Sequence, residues 1–154
     1  MMKTIGVIGE SETTGDKYEL AYSVGREIAR RGYVLVCGGL SGIMEGACRG
    51  AKDEGGLTVG VLPGTSHSEA NPYVDIPIVT GMGHARNVIV VRSSRVIIAI
   101  SGSFGTLSEI AIALKIGVPI VGLRTWEVSD EIRKAATPQE AVELACSLVN
   151  SGGG

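Results

Sequence analysis

Short apolar runs, each closed by a glycine-bearing turn and followed by a stretch of helical spacing, recur along this chain. Nothing else in the sequence constrains the fold as much. Thr4 to Ile8 is such a run and ends at Gly9. Tyr33 to Cys37 precedes Gly38-Gly39-Leu40-Ser41-Gly42, and Leu57 to Leu62 is stopped by Pro63-Gly64. Ile76 to Val79 is a shorter run, Val96 to Ile100 leads into Ser101 to Glu109, and Val118 to Leu123 follows Gly117. Between them lie helical spacings. Asp16 to Arg31 repeats apolar residues at Leu20, Val24 and Ile28, then ends on Arg30-Arg31-Gly32, two cations and a glycine that suit a helix carboxyl terminus. Ile43 to Glu54 ends at Gly55-Gly56, Gly81 to His84 lead into a helix through Val88 and Val91, and 106–116 stops at Gly117. Thr137-Pro138-Gln139-Glu140 predicts a last helix with an N-cap, a proline at its first position and a capping-box glutamate. Thr65 to Asn71 is polar, without a period, and reads as loop.

Strands that are apolar throughout, alternating with helices, predict a parallel sheet covered on both faces. The fold class is α/β: a doubly wound, Rossmann-like three-layer sandwich with a mainly parallel sheet of about six or seven strands. Residues 1–150 fit one domain, and 151–154 are expected to be a flexible tail. In such sheets ligands bind at the carboxyl ends of the strands, where strand order reverses. The loops after the first, second and fifth strands carry the small residues and should share that edge.

Composition narrows the function. A net charge of −2 without a basic face argues against nucleic acid. No apolar run approaches the ~20 residues of a membrane span, and Met1 to Ile5 enter a strand at once, leaving no room for a signal peptide. A cytoplasmic protein with no membrane partner is expected. Cys37, Cys48 and Cys146 are widely spaced among apolar residues and read as reduced packing residues. No metal site is expected, since there is no C-x-x-C and neither His67 nor His84 has a partner at ligand spacing. G-x-G-x-x-G, the P-loop pattern and G-x-S-x-G are all missing.

The chemistry concentrates in Ser101-Gly102-Ser103-Phe104-Gly105-Thr106-Leu107-Ser108-Glu109. A strand feeding a small-residue loop that opens a helix is a site for phosphate, because bare N–H groups and the helix amino terminus point the same way. Ser103 and Thr106 can add hydroxyl donors. Gly102, Ser103, Phe104, Gly105 and Thr106 form the candidate cradle. Gly9, Gly38, Gly39, Gly42 and Met44 are the candidate second wall, the alternative being tight turns and close helix packing. Glu109 has two readings: partner of Thr106 in a T-x-x-E capping box, or a carboxylate turned toward the ligand. Arg86 is either a solvated helix arginine or, in a helix made buried by Val88-Ile89-Val90-Val91, a cation needing an anionic partner such as a phosphate or Glu109. His84 reads as a hydrogen-bonding residue at a helix start.

Together, Gly38-Gly39…Gly42-Ile43-Met44, Gly60-Val61-Leu62-Pro63, His84-Ala85-Arg86-Asn87 and the 101–109 loop resemble the SLOG superfamily, which includes the LOG-type cytokinin-activating phosphoribohydrolases, often mislabelled lysine decarboxylases. Within it, the chain looks like a short branch, the SLOG cluster 4 type, near the molybdenum-cofactor carrier proteins. The LOG-type loop reads P-G-G-x-G-T-x-x-E. Here Ser101 replaces the proline and Ser103 the second glycine, while Gly102, Gly105, Thr106 and Glu109 are kept. The LOG-type M-H-x-R-K becomes Gly83-His84-Ala85-Arg86-Asn87. The resemblance implies that Glu109 and Arg86 are the catalytic pair of a nucleoside 5′-monophosphate phosphoribohydrolase, releasing free base and ribose 5-phosphate without a cofactor. Its other implication is a non-catalytic nucleotide sensor or carrier of a phosphate-bearing cofactor such as molybdenum cofactor, which the changes at Ser101, Ser103 and Asn87 favour. Either way the expected partner is a small molecule, and a homo-oligomer, a dimer or larger, is implied. Lysine decarboxylation has no support, since no lysine sits in a pyridoxal-phosphate context.

Overall fold

The computed structural model describes residues 1–152; Gly153 and Gly154 of the expected tail lie outside the described residues. Seven strands form one sheet in which every neighbouring pair is parallel. They are β1 (Thr4–Gly9), β2 (Val34–Cys37), β3 (Thr58–Leu62), β4 (Ile76–Val79), β5 (Val96–Ile100), β6 (Ile120–Leu123) and β7 (Ile132–Lys134). Their order is β4-β3-β2-β1-β5-β6-β7. The chain builds outward from β1 to one edge, then crosses back and builds from β5 to the other. Strand order therefore reverses between β1 and β5, with Gly9 opposite Ile100 at the carboxyl end.

Five helices cover the sheet: α1 (Asp16–Arg30), α2 (Ile43–Asp53), α3 (Arg86–Arg92), α4 (Phe104–Ile116) and α5 (Pro138–Ser151). Alternation along each strand divides the core into two. Ile5, Val7, Leu35, Cys37, Ile98 and Ile100 pack against α1, α2 and α5, whereas Ile8, Val36, Ile97 and Ala99 pack against α3 and α4. Helices α1 and α2 approach so closely that a Cβ on Gly25 would overlap the Ala47 carbonyl, and one on Gly50 would overlap that of Tyr22. The cysteines are free and buried, Cys37 and Cys48 in contact at 3.5 Å.

Three local readings need correction. β7 was not expected, because Ile132 is buried but Arg133 and Lys134 are exposed, so no apolar run marks it. Helix α4 starts at Phe104, not at Thr106, with Ser103 as its N-cap. Thr106 is then inside the first turn and cannot be the cap of a T-x-x-E box. The last helix begins with the expected N-cap and proline, the Thr137 hydroxyl accepting the Glu140 N–H, but the Glu140 carboxylate accepts the N–H of Ala136, one residue before the cap, and does not close the expected capping box.

Candidate functional site

The loops leaving β1, β2 and β5 meet over the point where strand order reverses and enclose a cavity of about 220 Å³. Gly9 ends β1 and Ser11 follows in its loop, Gly38 and Leu40 come from the second loop, and Met44 lies on the first turn of α2. Ser103, Gly105, Thr106 and Glu109 come from the third loop and α4. His84, Arg86 and Asn87, at the start of α3, complete the wall.

The amino terminus of α4 carries the candidate donors. The first N–H groups of a helix have no partner within it, and the Ser103 side chain makes no capping bond here. Thr106 is 2% exposed and its hydroxyl oxygen has no hydrogen-bond partner. A buried hydroxyl without a partner costs about 1–3 kcal/mol, which makes this one a candidate ligand contact. Glycine at 102 has φ 126°, and a Cβ there would lie 2.6 Å from that of Thr106, so the turn into the helix requires it.

Arg86 is drawn into the wall rather than out to solvent, with 8% exposure. Its Nε donates to the Val61 carbonyl at 2.9 Å, one Nη to the Gly38 carbonyl at 3.4 Å, and the other to the Asn87 side chain. All three acceptors are neutral. Burial pulls the guanidinium below its usual range, and Glu109 pulls it back. Asn87 passes the restraint on, donating to the Ser108 hydroxyl at 3.1 Å. Gly38 makes room: a Cβ would lie 2.8 Å from Arg86 Nη2 and 2.9 Å from Met44 Sδ.

Glu109 sits in the second turn of α4, buried at 7% exposure. Burial pushes its carboxyl up to about 7, with Arg86 acting in the opposite direction. A carboxyl poised near neutrality on a cavity wall suits proton transfer or the stabilisation of developing positive charge.

Of the residues singled out from sequence, Gly9, Gly38, Met44, Arg86, Ser103, Gly105, Thr106 and Glu109 line this cavity. Gly39 and Gly42, with φ of 78° and 67°, shape the turn behind it. Gly102 turns its N–H away, onto the Glu10 carboxylate at 2.5 Å. Phe104 is 81% exposed and stacks on Trp126, ring centres 6.1 Å apart, while the Trp126 indole donates to the Ser103 carbonyl at 3.3 Å. Trp126 carries no pattern that sequence reasoning could weigh, and Glu10 is marked only by following the Gly9 turn toward this edge, because the partners of both are distant in the chain. Among the described residues no three His, Cys, Asp or Glu side chains are grouped to hold a metal ion, and no helix is long and apolar enough to cross a membrane.

Comparison with known proteins agrees with this architecture. A protein of Archaeoglobus fulgidus, itself uncharacterized, is 48% identical over 143 residues, 93% of this chain and 94% of that one. The cytokinin riboside 5′-monophosphate phosphoribohydrolase of Mycobacterium tuberculosis is 36% identical over 132 residues, 80% of this chain and 71% of that one. Among solved structures, the molybdenum cofactor binding protein of Rippkaea orientalis superposes with a TM-score of 0.91 at 38% identity, covering 97% of this chain and 98% of that one. The molybdenum cofactor carrier protein of Chlamydomonas reinhardtii does so with a TM-score of 0.90, again at 38% identity, over 97% and 99%. The family model of the SLOG cluster4 family matches residues 2–149, and the chain belongs to that family.

Proposed function

We propose that this chain binds a small molecule through a phosphate monoester seated on the amino terminus of α4. The observation that carries this reading is Thr106: a buried hydroxyl without a partner, on the cavity wall, in the first turn of a helix whose N-cap side chain bonds nothing. The phosphate would take N–H groups of residues 103–106 and the Thr106 hydroxyl, and Arg86, held by neutral acceptors alone, would supply the positive charge. A cavity of about 220 Å³ holds the phosphate and a sugar-sized group, so the rest of the ligand would extend over the rim.

Two uses of such a site follow, each favoured by a different observation. Carriage of a phosphate-bearing cofactor such as molybdenum cofactor, without turnover, is supported by the likeness to cofactor-binding proteins along nearly the whole chain. Hydrolysis of a nucleoside 5′-monophosphate is supported by Glu109, whose carboxyl is unpaired and poised near neutrality. In that reaction Glu109, as carboxylate, would face the positive charge that develops at the ribose as the bond to the base breaks, or would position the attacking water. Arg86 would orient the phosphate, and base and ribose 5-phosphate would leave.

Incubating the pure protein with a panel of nucleoside 5′-monophosphates decides between them. Free base that is lost in Glu109→Ala means hydrolysis. No base, with thermal stabilisation by phosphate esters, means binding without turnover, and mass spectrometry of a co-purified ligand names what is bound. Neither base nor stabilisation overturns the phosphate reading. A homo-oligomer belongs to the same proposal: Val88 on α3 and Ile116 on α4 are 39% and 36% exposed on packed neighbouring helices. Sedimentation velocity checks it.

A further inference from the structure

The loop that feeds α4 is bent in a way its own residues do not favour. Ser101 has φ 51°, in the left-handed region that a serine seldom occupies, and Gly102 follows at 126°. Contacts from outside must hold this bend. Thr125 donates its hydroxyl to the Ser101 carbonyl at 2.5 Å, and the Ser101 N–H reaches the Leu123 carbonyl at 3.2 Å. The strongest hold is Glu10, in the turn after β1. One carboxylate oxygen accepts the Gly102 N–H at 2.5 Å, and the other accepts the Ser101 hydroxyl at 3.1 Å and lies 3.2 Å from the Lys17 ammonium.

Glu10 does not line the cavity, although Gly9 and Ser11 on either side of it do. Its carboxylate therefore grips the loop from behind. Negative charge near an anion site disfavours the anion by simple Coulomb repulsion. A carboxylate offset by Lys17 and engaged in two charge-assisted hydrogen bonds acts in the other sense if it fixes the donors that the anion needs. The two effects differ in sign, and this makes them separable.

We propose that Glu10 is a positioning residue for the phosphate loop: it sets the 101–102 bend so that the N–H groups and hydroxyls of residues 103–106 face the cavity. This rests on the phosphate-binding reading above. The test titrates ribose 5-phosphate into wild type, Glu10→Ala and Glu10→Gln, and records the Gly102 amide resonance of each without ligand. Glu10→Ala is expected to bind about tenfold more weakly, and Glu10→Gln, which keeps both polar atoms without the charge, to stay within about threefold of wild type. The Gly102 amide resonance moves upfield in Glu10→Ala. Unchanged or tighter binding by Glu10→Ala overturns the proposal, since Glu10 would then contribute nothing to binding or only repulsion. Should Glu10→Ala fail to fold, Ser101→Ala removes a single bond and is expected to weaken binding about threefold; wild-type affinity there overturns the proposal too. A wild type that binds no phosphate ester overturns the proposed function instead, and the ligand-free Gly102 resonance still decides whether Glu10 grips the loop.

Discussion

Arg86 and Glu109 line one cavity and feel each other's charge, yet they form no ion pair. The guanidinium is occupied with the Val61 and Gly38 carbonyls and the Asn87 side chain, and the carboxyl is left to its burial. Had they paired, Glu109 would be held low and Arg86 would be spent. Kept apart, they leave a guanidinium bonded to neutral partners alone and a carboxyl near neutrality.

Glu109 makes stability depend on pH. Its carboxyl is raised from 4.5 to about 7, so the folded protein holds this proton more tightly than the unfolded chain. That stabilisation is complete below pH 4.5 and is lost as pH rises through about 7. Glu109→Gln is therefore expected to be more stable than wild type at pH 8, by up to about 3 kcal/mol, and equal to it near pH 4. Urea unfolding at both pH values measures this. A dianionic ligand would raise the carboxyl further, so binding at pH 7 should take up protons, seen by calorimetry in buffers of different ionisation enthalpy.

Thr106→Val replaces an unpartnered buried hydroxyl with a methyl group of nearly the same shape. The free protein is expected to be as stable as wild type or about 1 kcal/mol more so. Binding of ribose 5-phosphate is expected to weaken by about tenfold, the loss of one hydrogen bond to a charged group. Thermal melts with and without ligand show both effects.

Gly38→Ala places a Cβ 2.8 Å from Arg86 Nη2. Met44 can swing away, but Arg86 is held at Val61 and must give up the Gly38 carbonyl. Phosphate-ester affinity should fall by about tenfold or more, with a stability loss of about 1–3 kcal/mol from overpacking. Titration calorimetry and denaturant melts measure the two.

Ser101→Pro would introduce the residue found in the LOG-type loop, and it should not be tolerated. Proline holds φ near −65°, whereas Ser101 has φ 51° and donates its N–H to Leu123. A loss of about 3 kcal/mol is expected, seen as a lower melting temperature, while Ser101→Gly keeps the bend accessible and costs less. The serine at this position accepts a bend that proline cannot, and Glu10 bonds both Ser101 and Gly102.

Much of the lining of the candidate site is legible in the sequence, for one reason: backbone demands leave a trace in residue type. Gly38 and Gly102 stand where a Cβ would collide, and Ser103-Phe104-Gly105-Thr106 open a helix directly after an apolar strand. Glu109 was ambiguous, because T-x-x-E describes a cap as well as a site. The start of α4 at Phe104 removes the capping-box reading by placing Thr106 within the helix.

By itself the sequence determined the layered α/β fold, since strands apolar on both faces can be buried only in a parallel sheet between helices. It also determined which loops carry the small residues. Strand order, the seventh strand, the neutral partners of Arg86 and the grip of Glu10 on Gly102 were decided by the tertiary structure alone. Each depends on groups far apart in the chain, such as Glu10 and Gly102, and no local periodicity, propensity or spacing encodes which distant groups the folded sheet brings together.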